Sequence, residues 1–417
     1  MGQENERISH THIIHKAKVP VFAWCDAEKS ALDQARNAAS LPCAFHHVAL
    51  MPDCHPGYGV SIGSVLALKG AICPNAVGVD ISCGMHFVQT DIPVAELVTV
   101  KTSKGNLIRA ILDNIKRNIP TGFEHHREKQ DSFLWDKAPD IEIVQQQLES
   151  AKYQLGTLGG GNHFLELQRN EDGFLALMLH SGSRNFGKKI AEVYNKRAIQ
   201  ELSVFSNSWA EETIKNELAF LSVDSRSGQE YIAAMQYAML FARENRRKMM
   251  DTMLFITCNM INKYALSKKF ETSMKCDVNH NYAVEEEHFG KKVWVHRKGA
   301  IRANKDDIGI IPGSMGTSSY IVRGLGNPDS FNSPSHGAGR IMGRNDVCRK
   351  FTIEQAHEAM KGIEFLGFSS PKHRKKITTP DISEAPFAYK NIDEVMHNQE
   401  DLVKIVSKLT PIGVVKE

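Results

Sequence analysis

The sequence predicts an α+β protein, a single large domain over residues 1–417 with mixed sheets and surrounding helices. Three observations predict it. Strand-like and helix-like segments come in blocks rather than in strict β–α alternation, which disfavours a doubly wound parallel sheet. Glycine-rich motifs bearing His, Cys and Asp are scattered from residue 53 to 340 and must converge to act together. A length of 417 residues allows one large domain or two to three smaller ones, but no repeat, low-complexity tract or linker divides the chain.

In chain order, residues 44–90 read as short strands broken by glycine turns, as in Val60-Ser61-Ile62-Gly63-Ser64-Val65 and Phe87-Val88. Ile92 to Ile119 turns helical, with Leu97, Leu107, Ile108, Ile111, Leu112 and Ile115 on one apolar stripe. The polar stretch Gly122 to Pro139 reads as a mobile loop and Ile141 to Leu155 as a helix. Glycines and a strand follow at 156–168, then the very apolar strand Phe174-Leu175-Ala176-Leu177-Met178-Leu179. Gly228 to about Leu266 carries a long helical pattern, apolar at Ile232, Met235, Met239, Ala242, Met249, Met253 and Ile256. Arg243, Arg246, Arg247 and Lys248 are expected on its exposed face. Short strands and glycine turns return after residue 276, through Val293-Trp294-Val295 and Ile308 to Ser319.

The formal charge of +3 is nearly neutral, so nucleic-acid affinity has to come from local patches. Two clusters are candidates: Arg243/Arg246/Arg247/Lys248, and Lys372/Arg374/Lys375/Lys376 between Pro371 and Pro380. Met1 to Ser9 are polar and charged, without the apolar segment of an export signal. No run approaches the roughly 18 apolar residues of a membrane span, and Glu6 stands where myristoylation at Gly2 wants Ser or Thr. The eight cysteines lack paired spacing, which argues against a disulfide framework. A reduced, cytoplasmic enzyme without membrane contact is expected.

The most informative stretch is Val77-Gly78-Val79-Asp80-Ile81-Ser82-Cys83-Gly84-Met85. A carboxylate and a thiol three residues apart on a glycine-rich turn can face one centre, and a hard plus a soft ligand suits a borderline transition metal. Most buried cysteines are inert packing residues, so the pair gains weight from histidines elsewhere. These stand in Met51-Pro52-Asp53-Cys54-His55, Gly159-Gly160-Gly161-Asn162-His163-Phe164-Leu165-Glu166 and His180-Ser181-Gly182-Ser183-Arg184. Others stand in Asn279-His280-Asn281-Tyr282 and Ser335-His336-Gly337-Ala338-Gly339-Arg340. Each has small or polar neighbours that permit close backbone approach, and neutral imidazole is the commonest metal ligand. Any one of them alone fits a structural, hydrogen-bonded role as well.

Two features suggest phosphate beside that metal. The backbone N–H groups of 156–162 can form an anion-binding nest. Arg184, Lys298 and Arg340 follow glycine-rich turns or strands, and a guanidinium fork suits phosphate; Arg297 and Arg323 fit ordinary surface positions equally well. Residues 182–189 nearly match the phosphate loop G-x-x-x-x-G-K-[ST], but Lys189 replaces the Mg²⁺-holding hydroxyl, so that reading is set aside. The lysine-nucleophile motif K-x-D-G is absent, so a covalently held nucleotide needs another side chain.

Together these motifs resemble the RtcB family of RNA ligases. The resemblance is carried by Asp-x-His-x-Gly at 53–57, Val-Gly-Val-Asp-x-x-Cys-Gly-Met at 77–85, Gly-Asn-His-Phe-x-Glu at 161–166 and His-Ser-Gly-Ser-Arg at 180–184. It continues through His-Asn-Tyr at 280–282, Arg-Lys-Gly-Ala at 297–300, Pro-Gly-Ser-Met-Gly at 312–316 and Ser-His-Gly-Ala-Gly-Arg at 335–340. Pro386-Phe387-Ala388-Tyr389-Lys390 and Lys416 also fit. The motifs run in family order, and the resemblance implies one RtcB-like catalytic domain over nearly the whole chain.

It further implies a GTP- and Mn²⁺-dependent ligase joining an RNA 3′-phosphate or 2′,3′-cyclic phosphate to a 5′-hydroxyl, in tRNA splicing or RNA repair. Carried over residue by residue, Asp80, Cys83 and His163 would bind one manganese. Cys83, His180 and His280 would bind the second, with the Cys83 thiolate bridging. His336 matches the histidine that accepts GMP before it passes to the RNA as an RNA-(3′)pp(5′)G intermediate. Asn162, His163, Phe164, Leu165, Glu166, His280, Asn281, Pro312, Gly313, Ser314, Met315, Ser319, His336, Gly337, Ala338, Gly339 and Lys416 match the guanylate site, with Tyr389 placed to stack on guanine. RNA and GTP are the expected partners, and an accessory activating protein stays open. The chemistry is coherent: a bare 3′-phosphomonoester has no acceptable leaving group, and capping it with GMP supplies one.

The chain departs from the family pattern at Ser82, where many members have glycine, and at Asn185-Phe186, where Gly-Ile or Gly-Leu is usual. Residues 372–376 are unusually basic. None of these removes a ligand, and together they suggest a divergent paralogue acting on another RNA. Two other classes stay in view. A metal-dependent phosphodiesterase or cyclic-phosphate hydrolase on the same scaffold would leave His336 dispensable and GTP inert. A non-catalytic RNA-end-binding protein would show a broken ligand set, which the intact Asp80/Cys83/His163/His180/His280 series speaks against.

Overall fold

The computed structural model describes residues 12–14, 17–103, 105–264, 271–368 and 381–417. The basic cluster Lys372/Arg374/Lys375/Lys376 lies outside the described residues. Among those described, two large sheets with helices against them give the α+β architecture the block pattern predicts. The larger, eight-stranded sheet runs Thr272–Asn279, Gly84–Pro93, Phe174–Ser181, Phe164–Asn170, Val403–Val415, Ser319–Gly324 and Ile308–Ile311. Its neighbours are antiparallel, except that Glu364–Leu366 pairs in parallel with Val403–Val415. The six-stranded sheet runs His12–Ile14, Val21–Ala23, Ala44–His55, Ile62–Leu68, Lys291–Lys298 and Asn281–His288. It too holds one parallel pair, Val21–Ala23 with Ala44–His55.

Register brings distant motifs to one edge of the larger sheet. Gly84 lies opposite Ser181 on one neighbour and Asn279 on the other. His180 lies opposite Phe164, and Leu165 opposite Val415. Cys83, His163, His180, His280 and Lys416 are therefore at or beside the ends of five adjoining strands. The rise of a strand is about 3.3 Å per residue, so a shift of one residue in any of these pairings would pull its ligand from the group.

The long helical pattern forms a helix over Arg226–Lys263, 38 residues. Its first half packs Tyr231, Met235, Ala238 and Phe241 into one core, and its second half packs Met249, Met250, Met253 and Ile256 into another. The basic face expected from the sequence is corrected here. Arg246 is 0 % exposed and fully built into the protein, because the helix is covered on more than one side and the periodicity shows only the apolar one. Arg247 stays exposed but pairs with Glu244 and Asp251. The helix expected over 92–119 is interrupted as well: Val94–Thr99 and Leu107–Asn118 flank the short paired strands Lys101–Thr102 and Gly105–Asn106. The run Val98-Thr99-Val100 is β-branched and favours extended backbone, and Asn106 then caps the second helix by accepting from the N–H of Arg109 at 2.9 Å.

The helix expected over 141–155 is found at Glu142–Gln154. Residues 122–139 are irregular but for a 3-10 turn at Trp135–Lys137, yet bonded along that helix: the N–H groups of His126 and Gln130 donate to the carbonyls of Tyr153 and Lys152 at 3.0 and 2.9 Å. Arg184–Ser203 forms a 20-residue helix the sequence reading did not assign. Its buried face is Phe186, Ile190, Ala191, Tyr194, Ala198 and Leu202, a helical period that the search for a phosphate loop hid. Phe186, one of the departures from the family pattern, packs against Tyr237 and Phe241.

Candidate metal centre and nucleotide pocket

Two sets of ligand atoms lie within 4.8 Å of one another: Asp80, Cys83 and His163, and Cys83, His180 and His280. The Cys83 sulfur is 3.3 Å from His163 Nε2 and 3.1 Å from His180 Nε2, and the latter is 3.2 Å from His280 Nε2. Asp80 Oδ2 is 3.1 Å from His163 Nε2. Cys83 belongs to both sets.

The donor chemistry fits a pair of metal ions. His163 Nδ1–H donates to the Leu158 carbonyl at 2.8 Å and His180 Nδ1–H to the Asn162 carbonyl at 3.1 Å. Each ring thus carries its proton on the outside and aims an Nε2 lone pair inward, the arrangement an imidazole ligand needs. Burial drives His180 and His280 well below the ordinary histidine value, so both are neutral. Burial and the neighbouring Asp80 carboxylate push the Cys83 thiol up, so a thiolate here requires cations.

The turn carrying Asp80 and Cys83 is held from several sides. Ser82 adopts a left-handed φ of 59°, a strain of roughly 1 kcal/mol for a residue with a side chain. It recovers that cost through its hydroxyl, which donates to Asn279 Oδ1 at 2.8 Å, and its N–H, which donates to the Asn281 carbonyl. Arg246 reaches the same place: Nη1 donates to the Ser82 and Ser181 carbonyls at 2.8 and 3.1 Å, and Nη2 to Asp277 and Asn279 at 2.7 Å each. Asp80 Oδ1 accepts from the Ser183 N–H at 3.0 Å, and a Cβ at Gly182 would come within 2.3 Å of its carboxylate. The near-match to a phosphate loop is thereby explained, since the helix beginning at Arg184 receives the protein's own carboxylate. The expected nest at 156–162 is partly spent too: the N–H groups of Gly156 and Thr157 donate to Asn245 Oδ1 at 2.7 and 3.1 Å.

His336 adjoins the second set, its ring centroid 4.7 Å from that of His280. Its Nδ1 lies 2.6 Å from Oδ2 of Asp53, which is fully buried and also accepts from the N–H groups of His336 and Gly337 at 3.2 Å. Burial would raise Asp53, but the His336 imidazole holds it below the usual range. With Nδ1 facing a carboxylate, the Nε2 lone pair is free for attack.

A cavity of about 650 Å³ opens from His336. Of the residues expected at a guanylate, Asn162, Phe164, Pro312, Gly313, Ser314, Met315, His336, Gly337, Ala338, Gly339 and Lys416 line it, as does Tyr389. His163 and His280 do not line it and lie beside it in the two candidate ligand sets. Leu165 and Glu166 lie buried behind the wall, and burial pushes Glu166 well up. Ser319 supports the rim by accepting from the Gly313 N–H at 3.3 Å. Asn281 braces the metal turn, donating to the Asp80 carbonyl at 3.2 Å.

Sequence reasoning assigned no role to Asp53, although it stood in a singled-out motif, and it missed Glu384 and Arg344. Glu384 gathers the cavity's cations: Arg344 at 2.7 Å, Arg340 at 3.1 Å and Lys416 at 3.6 Å. Despite burial, Lys416, Arg344 and Arg340 hold its carboxyl down at about 2. Arg297, left open by the sequence, is fully buried and forked onto Glu286, a structural role.

Comparison with known proteins agrees with this arrangement. The family model described as "tRNA-splicing ligase RtcB" matches residues 34–138 and 134–417. The RNA-splicing ligase RtcB of Escherichia coli K12 is 36 % identical over 417 residues, covering 95 % of this chain and 97 % of that protein. The tRNA-splicing ligases RtcB of Thermococcus kodakarensis and Pyrobaculum aerophilum are each 30 % identical, covering 92 % and 96 % of this chain and 90 % and 95 % of their own. With every motif in order and the likeness running nearly end to end, the chain belongs to the RtcB family.

Proposed function

We propose that the chain is an RNA ligase that uses GTP and two Mn²⁺ ions to join RNA 3′-phosphate or 2′,3′-cyclic phosphate ends to 5′-hydroxyl ends, in tRNA splicing or RNA repair, with residues 1–417 acting as one catalytic domain. The observation that carries it is the position of His336, 2.6 Å from buried Asp53 and at the seam between the cavity and the Cys83/His180/His280 set. Asp80, Cys83 and His163 would hold one ion and Cys83, His180 and His280 the other. Bound there, the ions would neutralise charge on the triphosphate and on the attacked phosphorus.

His336 Nε2 attacks the α-phosphorus of GTP; the N–P bond forms as the α–β bridging P–O bond breaks, and pyrophosphate leaves. Asp53 keeps Nδ1 protonated and offsets the charge that develops on the ring. An oxygen of the RNA 3′-phosphate then takes the guanylyl group, breaking N–P and restoring the imidazole. The 5′-hydroxyl oxygen attacks the capped phosphorus and loses its proton, and GMP departs. A cyclic phosphate is first opened by water. The convergence of Arg340, Arg344 and Lys416 at the cavity wall, where Lys350 stands with them against Glu28, Asp346 and Glu384, supports an anionic ligand. The test is incubation with α-labelled GTP and Mn²⁺. The protein should take the label, and His336→Ala should not, with its metal content unchanged; full labelling of that variant refutes the assignment.

A further inference from the structure

We infer that Phe123 is a stacking platform for the terminal base of the RNA strand that carries the 5′-hydroxyl. The inference rests on the ligase reading above. At 86 % exposure Phe123 is the barest large apolar side chain among the described residues. Its turn is nonetheless firmly held. The Gly122 N–H donates to the Gly159 carbonyl at 2.8 Å, the Leu158 N–H to Pro120 at 2.9 Å and the Glu124 N–H to Thr121 at 3.1 Å. Arg184 Nη2 donates to the Gly122 carbonyl at 2.8 Å. A ring presented to water on a fixed backbone gives up little freedom when a base lies on it, and every base has a face to offer.

The turn's neighbours say which strand it meets. Residues 158–159, to which it is bonded, lead directly into His163. Arg184 follows Ser183, whose N–H holds Asp80. The turn bearing Phe123 is therefore bonded to the segments that carry His163 and hold Asp80, whereas His336 and the cavity adjoin the Cys83/His180/His280 set. Displacement at phosphorus places the attacking and leaving oxygens roughly in line. GMP departs on the cavity side, so the 5′-hydroxyl arrives on the Asp80 side, past Phe123. Charge there is mixed, with Glu124 and Glu128 exposed beside the cations, so the base face rather than the phosphate carries the recognition. Lys248, the residue of the long helix's basic group that packs beside Gly156 and His126, contributes positive charge, as does exposed Arg127. The Glu417 carboxylate near Gly122 is partly offset by Arg184.

The test uses a 5′-hydroxyl RNA whose first base is 2-aminopurine, mixed with the full chain and Mn²⁺. Stacking should quench the probe with wild type and Phe123→Trp, but not with Phe123→Ala. In ligation, Phe123→Ala should raise KM for the 5′-hydroxyl strand about tenfold and leave KM for the 3′-phosphate strand within about twofold. Equal quenching by wild type and Phe123→Ala, or a KM rise confined to the 3′-phosphate strand, overturns the assignment and leaves the ring to a protein contact. Labelling by GTP is read separately. A wild-type chain that quenches through Phe123 but takes no label sinks the ligase reading alone; one that takes label without quenching sinks the platform alone.

Discussion

Replacing Arg246 with methionine should loosen the turns that carry the candidate ligands and lower stability by a calculable amount. The guanidinium is 0 % exposed and makes five hydrogen bonds, to Asp277 (twice), Asn279, Ser82 and Ser181. Methionine fills much of the space and leaves Asp277 as a largely buried carboxylate without its cation. Removing one partner of a buried pair costs about 3–5 kcal/mol. With an unfolding entropy of about 2.1 cal/mol/K per residue, a chain of 417 residues should lose about 3–6 °C in Tm. The unpaired carboxylate is the larger share, so adding Asp277→Asn should return part of the loss. Ser82 and Ser181 adjoin Cys83 and His180, and groups that orient ligands typically govern about ten- to a hundredfold in metal affinity. Mn²⁺ titration by calorimetry should show that weakening in Arg246→Met, with Arg246→Lys between it and wild type. A Tm within about 1 °C of wild type, together with unchanged Mn²⁺ affinity, would refute the reasoning.

Three further outcomes are expected. Asp53→Asn should slow labelling of His336 by GTP about a hundredfold or more, because an amide neither fixes Nδ1–H nor offsets ring charge; unchanged labelling kinetics would make Asp53 a packing residue. Cys83→Ala should empty both metal sets while His163→Ala weakens mainly its own, read as bound manganese by elemental analysis; normal occupancy in Cys83→Ala would remove the bridging role. His296 gives a pH dependence away from the site. Burial holds it at about 4, below the usual 6.5, and its Nε2 accepts from the Cys73 N–H at 3.0 Å, leaving no room for a second proton. Its stabilising share is full above pH 6.5 and is lost as pH falls towards 4, about 3 kcal/mol in all. Urea unfolding at pH 7 and 4.5 should show a steeper loss in wild type than in His296→Asn; equal slopes would contradict it.

That the candidate residues Asp80, Cys83, His163, His180 and His280 would come together was legible because few residue types suit such a group, and the structure brings them within 4.8 Å of one another in two sets. Block order likewise gave the α+β class. What the sequence hid was whatever depends on a second covered surface. Arg246 sits at helical spacing among exposed cations, and only its partners elsewhere in the chain, Ser82 on a turn and Asp277 on a strand, reveal it as buried. Asp53 was hidden for a related reason, since its partner His336 is 283 residues away and a lone carboxylate in an apolar strand has no local signature. The break at Val98-Thr99-Val100 was readable from β-branching, but the apolar stripe on either side outweighed it. Ser82 shows the converse: a departure from the usual glycine costs little once Asn279 and Asn281 receive its polar groups.

The place of Val403–Val415 governs when the enzyme can exist. This strand lies between Phe164–Asn170 and Ser319–Gly324 and delivers Lys416 to the cavity. During synthesis both flanking segments emerge long before it, so the sheet waits with a vacant slot and two unsatisfied edges. Such edges invite pairing with other chains, and late closure of distant contacts is slow. A polypeptide that already carries Asp80, Cys83 and His336 is therefore still without Lys416 at its cavity and exposed at two strand edges until Val403–Val415 pairs with both neighbours.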